Sequence, residues 1–146
     1  MRSLEKSMVM LVLFTFIGAA CSTVLSRVPL PEDVKVVAPQ SDLPADVKAY
    51  SGKWCGTWDN GLEHVLVVEK IDFPNVEAVY ATGALASGGI ESGFRRTNGR
   101  IEDGQLNLFL GATRIWYILQ PDGSLEANLT RDFKVFLKAK MTRLSS

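Results

Sequence analysis

Residues 105–142 read QLNLFLGATRIWYILQPDGSLEANLTRDFKVFLKAKMT, and this stretch decides the fold class. Every second residue is apolar in three runs: Leu106, Leu108 and Leu110; Leu125, Ala127 and Leu129; Val135, Leu137, Ala139 and Met141. Because successive side chains on a strand point to opposite faces, each run places an apolar face on a core and a polar face in solvent. Turn sequences at 111–112, 121–123 and 131–132 separate the runs,. The stretch therefore predicts antiparallel strands joined by hairpins.

The same rhythm of short apolar runs and turn residues extends back to about residue 49. We predict strands near 51–58, 63–71, 76–82, 93–97, 100–102 with 105–110, 113–119, 124–130 and 134–142, with Asn98-Gly99 and Asp103-Gly104 among the turns,. No long amphipathic helix is available to cover an open sheet, whereas closure covers the apolar face and removes both edges. We therefore expect residues 49–146 to form an all-β domain, a single antiparallel up-and-down barrel of eight strands.

The composition excludes several classes of protein. A chain of 146 residues suffices for one ordinary domain, and its 16 basic and 16 acidic residues leave no basic footprint for a nucleic acid,. One histidine and two cysteines cannot assemble a Cys/His zinc site,. We therefore expect no metal, no cofactor and no nucleic-acid partner.

The first twenty residues have the pattern of an export signal. Arg2 and Lys6 precede an uncharged apolar run over residues 8–17, and Gly18-Ala19-Ala20-Cys21 follows it. The run is shorter than the roughly 20 residues that a membrane-spanning helix needs, and small residues suit a signal peptidase. We therefore predict that residues 1–20 are a signal peptide.

The Gly-Ala-Ala-Cys sequence resembles the end of a bacterial lipoprotein signal, although Gly18 stands where that family usually has leucine. The resemblance implies that Cys21 is lipidated and becomes the first residue of the mature chain. In Gram-negative bacteria Ser22 then implies the outer membrane, with the protein facing the periplasm. The alternative is a plain secretory signal, and in that case Cys21 is free to form a disulfide with Cys55.

A proline-rich segment is predicted to connect this anchor to the barrel. Residues 21–48 contain four of the chain's six prolines, Pro29, Pro31, Pro39 and Pro44, and no sustained periodicity. Such a segment favours extended conformations and could span from about 30 Å as a coil to about 80 Å when fully extended. We interpret it as a disordered tether, or alternatively as a segment in which residues 34–38 add a strand. The near-neutral mature chain lacks a polybasic segment, so the lipid is its expected membrane contact.

Residues 46–54, DVKAYSGKW, are similar to the entrance motif of the lipocalins, in which Gly-x-Trp begins the first strand. Gly52-Lys53-Trp54 carries the match. The resemblance implies that a basic residue of the last strand packs over the tryptophan and closes the barrel, and Arg143 stands in the matching place. A guanidinium over an indole gains a cation–π contact and can donate to carbonyls at the barrel end. Gly52, Trp54 and Arg143 are therefore predicted to be structural.

The lipocalin-like fold implies a binding site at the barrel mouth. We expect Trp58, Tyr80, Phe94 and Trp116 to line it and to contact a small hydrophobic ligand. The glycine-rich residues 83–93 are predicted to form a mobile loop or lid, with Arg95 or Arg96 beside it. An eight-stranded barrel is just wide enough either to be filled by side chains or to hold one small ligand, and both remain open here.

We expect a non-enzymatic envelope lipoprotein, with a protein-binding module such as a periplasmic protease inhibitor or an assembly factor as the alternative. A hydrolase that uses His64 with Asp59 is the third hypothesis. It is disfavoured because neighbouring Glu63 and His64 point to opposite faces of a strand, and no nucleophile-elbow sequence is present. No catalytic residue is therefore assigned. Cys55 is expected to be buried or to form an intermolecular disulfide.

Overall fold

The computed structural model describes residues 19–144, and for residues 19, 20 and 22 it describes the backbone alone. Most of the predicted signal peptide, residues 1–18, lies outside this range. The elements within it are α1 Ala19–Arg27, α2 Ala45–Lys48, β1 Gly52–Thr57, β2 Glu63–Asp72, β3 Asn75–Thr82, β4 Gly93–Glu102, β5 Gln105–Leu110, β6 Thr113–Leu119, β7 Leu125–Arg131 and β8 Val135–Arg143. Neither of the two α-helices of this range is long and apolar enough to cross a membrane.

The strands within residues 19–144 form a closed antiparallel barrel in the order β1 to β8, and each strand pairs with the next along the chain. The ring closes between β1 and β8, where Trp54 lies opposite Arg143 and Cys55 lies opposite Thr142. The predicted all-β, up-and-down, eight-stranded barrel is therefore confirmed. Each connection joins two neighbouring strands of the ring, either by a tight turn or by one of the longer loops, 58–62 and 83–92,.

Inward-facing side chains fill the lumen. The apolar faces predicted from alternation point inward, and Leu106, Leu108, Leu125 and Met141 are all fully buried. Burying a side chain of this size from water stabilises the fold by roughly 1.5–3 kcal/mol. The barrel is therefore held together by one continuous apolar core.

One predicted turn is not a turn. Asn98-Gly99 lies inside β4, which runs without interruption from residue 93 to residue 102. Gly99 is needed there because a Cβ at this position would lie 2.5 Å from the Leu108 side chain and 2.7 Å from the Asn107 carbonyl oxygen. A glycine within a strand often marks such a close approach of another backbone. The actual turn is Asp103-Gly104, in which both residues have positive φ.

The helix α1 packs on the outer wall of the barrel and is covalently attached to it. Cys21 and Cys55 form a disulfide, which is the pairing that a plain secretory signal leaves open. Val24 and Val28 of this segment are buried in a second apolar cluster together with Val65 and Val67 of β2, and α1 contacts both β1 and β2. The N-terminal part of the described chain is thus fixed to the barrel wall.

Residues 29–44 continue along the outside of the barrel rather than standing free of it. The Val37 amide donates to the Glu69 carbonyl at 2.7 Å, and the Asp33 carboxylate forms an ion pair with Arg96 at 2.8 Å. Val34 packs against the outer apolar cluster. The disordered tether expected over residues 21–48 differs in this respect from the structure. Val24, Val28 and Val34 cover an apolar outer face of β2 and β3, whereas Val36 and Val37 are exposed.

Candidate functional site

The two ends of the barrel differ, and we call them the base and the mouth. The base carries α2 and the turns 73–74, 103–104 and 120–124. The mouth carries the loops 58–62 and 83–92 and the turns 111–112 and 132–134. The residues expected to close the barrel belong to the base, and the ligand site expected from the sequence belongs to the mouth.

The base is closed by the three residues of the Gly-x-Trp resemblance, which the structure brings together. The Arg143 guanidinium lies 4.2 Å from the centre of the Trp54 ring. It donates to the Ser51 carbonyl at 2.5 Å and also to the Ala49 carbonyl. Gly52 has a φ of +114°, and a Cβ there would lie 3.0 Å from the guanidinium. Glycine is therefore required where Arg143 crosses the start of β1.

Tyr50 completes the plug at the base. Its hydroxyl donates to the Gly104 carbonyl at 2.8 Å and accepts from the Leu119 amide at 3.2 Å. Tyr50 and Trp54 are both buried, and the Trp54 indole donates to the Tyr50 carbonyl at 3.0 Å. These polar groups satisfy one another, so the base is a structural seal.

Four aromatic rings meet inside the mouth, and we call Trp58, His64, Tyr80 and Tyr117 the mouth cluster. The Trp58 and His64 rings are stacked, with their centres 4.3 Å apart and their planes within 9° of parallel. The His64 ring centre is 5.7 Å from that of Tyr80 and 6.4 Å from that of Tyr117. The Trp58 indole donates to the Tyr80 hydroxyl at 3.2 Å.

The polar atoms of the mouth cluster are only partly satisfied. Within the described part of the chain, neither ring nitrogen of His64 nor the Tyr117 hydroxyl has a hydrogen-bond partner, and both side chains are fully buried. A buried polar group without a partner is unusual in folded proteins and costs roughly 1–3 kcal/mol. The site therefore combines an apolar lumen with unused hydrogen-bonding capacity.

The same burial fixes the charge states of these groups. Desolvation lowers the pKa of His64 from its usual 6.5 to about 3, because a charged imidazolium loses its hydration inside the barrel,. Burial raises the pKa of Tyr80 to about 12 and raises the pKa of Tyr117 well above its usual value. The histidine and the two tyrosines are therefore neutral at pH 7.

The mouth is covered by residues 83–92, which we call the lid. Its two ends are tied together by hydrogen bonds between Leu85 and Ile90 in both directions, at 2.9 and 3.0 Å. Both side chains pack, half-buried, against the barrel core. Gly88 and Gly89 lie between them in a turn, where Gly89 has a φ of +62°. Besides this packing, the Gly83 amide at the start of the lid donates to the Glu63 carbonyl at 2.9 Å.

The structure does not bring together the four residues expected to line the ligand site. Trp58 and Tyr80 belong to the mouth cluster, but Phe94 lies opposite Ala81 on the outer face of the sheet and is 51% exposed. Trp116 alternates with the inward-facing Ile115 and Tyr117. Its ring stacks under the Arg114 guanidinium at 4.9 Å, on the outer face.

The two arginines named beside the lid also separate. Arg96 points outward, where it pairs with Glu69 as well as with Asp33. Arg95 lies opposite Tyr80 in the register of β3 and β4, and it is exposed. Arg95 therefore lies on the inner face of β4 at the mouth, and Arg96 lies on the outer face.

From the sequence, His64 is considered as a catalytic base and Tyr117 is not selected for the ligand site, whereas the structure places both side chains inside the barrel. A signal existed for both. His64 begins the run of five consecutive buried residues from 64 to 68, which is typical of a strand covered on both faces,. Tyr117 has the same parity as Ile115 on β6,. Phe94 and Trp116 are expected at the ligand site only because they are aromatic.

The arrangement offers binding chemistry rather than acid–base chemistry. A histidine base needs a pKa near the working pH and a group that orients it, and His64 has neither among the described residues,. Asp59 uses its backbone amide to bond the Lys138 carbonyl at 2.9 Å. Residues 19–144 hold no group of three or more His, Cys, Asp or Glu side chains that could bind a metal ion.

Comparison of the chain with protein-family models and with curated proteins finds no match.

Proposed function

We propose that the protein is a non-enzymatic binding barrel of the cell envelope, which takes a small hydrophobic molecule with one neutral polar group at its mouth. The single observation that supports this is the pair of buried, unpartnered side chains His64 and Tyr117 beneath a thin lid. A ligand that hydrogen-bonds to them would recover free energy that the unliganded barrel forgoes. An apolar ligand body would replace the lid residues Leu85 and Ile90 over the core.

The charge state of the site defines the polar group that it accepts. A neutral imidazole offers one donor and one acceptor, and a phenol offers both. Charged ligands are disfavoured because the four rings of the mouth cluster are neutral and the lumen is apolar, while Arg95, the cation opposite Tyr80, is exposed to water rather than buried beside them,. The ligand class that fits is therefore a long-chain alcohol, ester or ketone rather than a carboxylate or an amine.

The location is part of the same proposal. Residues 1–20 are proposed to direct export, and the Cys21–Cys55 disulfide supports an oxidising compartment because such bonds rarely persist in a reducing cytosol,. Lipidation of Cys21 remains a proposal from the lipoprotein resemblance. It would attach a diacylglycerol to the same sulfur, so a single molecule carries either the disulfide or the lipid. Intact mass and thiol alkylation of protein from the envelope distinguish the two forms.

Binding is tested by titrating the protein with dodecanol while the tryptophan fluorescence, to which Trp58 of the mouth cluster contributes, is followed. Dodecane and laurate are the matched probes. We expect dodecanol to bind most tightly, because it alone is neutral and carries a hydroxyl. His64→Leu should weaken dodecanol binding about tenfold and leave dodecane binding unchanged. Equal binding of all three probes, no binding of any, or no effect of His64→Leu would overturn the proposal.

The lid supplies a second test. The Ile90→Ser variant removes an apolar contact that holds the lid against the barrel core. We expect this variant to bind and release dodecanol faster, because the lid opens more often. Glu91→Ser, at an exposed position next to it, serves as the control.

A further inference from the structure

The mouth carries a group of apolar side chains that the barrel does not bury, and we call it the aromatic rim. It consists of Phe109, Phe133, Val135 and Phe136, which are 59%, 87%, 44% and 67% exposed. Single exposed apolar residues are ordinary on a protein surface, but a cluster of large ones indicates a surface that contacts something.

The register of the sheet places these residues at one side of the mouth. Phe109 of β5 lies opposite Arg114 of β6, which lies opposite Thr130 of β7, and Thr130 lies opposite Phe136 of β8. The two phenylalanines therefore belong to one row across four neighbouring strands. Phe133 projects from the turn that joins β7 to β8, beside this row.

The turn that presents Phe133 has a strained backbone. Asp132 and Phe133 both have positive φ values, of 51° and 55°. For a bulky residue this conformation is uncommon and unfavourable, and glycine is the residue that usually occupies it. The most exposed phenylalanine of the described chain thus occupies a position that is costly for folding, which indicates a role outside the fold.

Basic side chains surround the aromatic rim. Arg114, Arg131 and Lys134 are exposed there, and Asp132 is the acidic residue of the same turn. The other acidic residues at the mouth lie outside this turn: Asp59 and Glu91 on the loops 58–62 and 83–92, and Glu63 at the start of β2, where it pairs with Arg27. A chain with no net charge therefore presents a locally cationic, aromatic surface.

We propose that the aromatic rim docks on an anionic phospholipid surface, with its phenylalanines inserted below the headgroups and its cations at the phosphates. Aromatic side chains favour the boundary between headgroups and acyl chains, and Lys and Arg near an anionic leaflet are attracted to it. The cations favour a bilayer over a protein partner. Basic side chains beside exposed phenylalanines match a membrane surface, in which anionic phosphates lie directly above the acyl chains. Docking turns the mouth toward the membrane and does not require that the lumen bind a ligand.

The test is co-sedimentation of the disulfide-bonded protein, whose mass excludes an acyl chain, with vesicles of phosphatidylcholine mixed with phosphatidylglycerol. We expect binding to the mixed vesicles and at least about tenfold weaker binding to pure phosphatidylcholine. Phe133→Ser with Phe136→Ser should reduce binding to the mixed vesicles about tenfold or more. Both side chains are exposed, so the variant should fold as the wild type does.

Phe73→Ser is the matched control, because Phe73 is 49% exposed at the base. We expect it to bind vesicles as the wild type does. Failure of the wild type to bind, an equal loss in the Phe73→Ser variant, or an unchanged rim variant would overturn the proposal. A photoprobe placed beside Phe133 gives a further test. If it cross-links stoichiometrically to one envelope protein rather than to lipid, the proposal is also overturned.

Discussion

His64 is fully buried among the aromatic rings of the mouth cluster, and its burial couples folding to pH. In the unfolded chain it binds a proton below about pH 6.5, whereas in the barrel it stays neutral until about pH 3. The unfolded state therefore holds more protons throughout this window, and the free energy of unfolding falls as the pH falls through it. Carboxylates such as Asp122, whose pKa is lowered by bonds to Ser124 and Lys140, act in the same direction.

The contribution of His64 can be isolated with His64→Leu. The wild type should lose about 3 kcal/mol of stability from this histidine between pH 7 and pH 4, and the variant should lose none of that part. Urea denaturation of both proteins at the two pH values measures the difference. If the two proteins lose the same stability on acidification, the imidazole is not buried in its neutral form.

At the scale of the element, β4 shows why a local turn signal fails. Asn-Gly is a strong hairpin signal, yet Gly99 lies within β4 because β5 approaches it too closely for a side chain,. Overpacking such a contact typically costs 1–3 kcal/mol. A glycine in a true turn would not show this steric requirement.

Gly99→Ala should therefore destabilise the barrel by about 2 kcal/mol. Gly93→Ala in the same strand is the matched control, since a Cβ there meets nothing within 4 Å, and its effect should stay within about 0.5 kcal/mol. Chemical denaturation of both variants gives the comparison. Equal effects would show that strand propensity, not the contact with β5, determines the residue at position 99.

The element α1 depends on its disulfide more than the strands do. The Cys21–Cys55 bond closes a loop with a sequence separation of 34, and constraining such a loop stabilises the folded state by about 3–4 kcal/mol,. Reduction should release α1, which buries few residues, while the barrel keeps its own hydrogen-bonded ring. Hydrogen exchange should show faster exchange at Val24–Val28 and retained protection in β5 to β7.

The Cys21→Ala, Cys55→Ala double variant should reproduce the exchange pattern of the reduced wild type. Loss of exchange protection in all strands on reduction would contradict this prediction. It would mean that the Cys21–Cys55 disulfide is required for the stability of the barrel itself.

The sequence predicted the barrel well because period-two alternation and frequent turns are local signals that one-sided strands display directly. It predicted less of the mouth. Phe94 and Trp116 are expected to line the ligand site because they are aromatic, but the alternation along β4 and β6 places both side chains on the outer face,. The outer cover of β2 was missed because a strand buried on both faces loses its alternation, as His64 to Val68 do,. The aromatic rim could not be predicted either, because its residues come together only through the register of four strands, β5 to β8.

At the scale of the whole molecule, a side-chain contact between the two ends of the domain reinforces the pairing of β1 with β8 that closes the ring. Arg143 at the end of β8 reaches the Trp54 ring and the carbonyls before β1, some 90 residues earlier in the chain. The contact gives its binding energy only when the ring is shut, so it should stabilise the closed barrel specifically. Arg143→Lys keeps the charge but loses the planar donor fork and its stacking.

Arg143→Lys should therefore lower the free energy of unfolding by about 1–3 kcal/mol, because charged hydrogen bonds and a cation–π contact are both weakened. Arg100→Lys is the control, since Arg100 is exposed and pairs with Glu102 within its own strand, and it should change stability by less than about 0.5 kcal/mol,. A double-mutant cycle with Trp54→Phe should give a coupling of about 1 kcal/mol between positions 54 and 143. Additive effects in that cycle would mean that Arg143 stabilises the base through the Ser51 and Ala49 carbonyls alone, and that the indole contributes through packing and its hydrogen bond to the Tyr50 carbonyl.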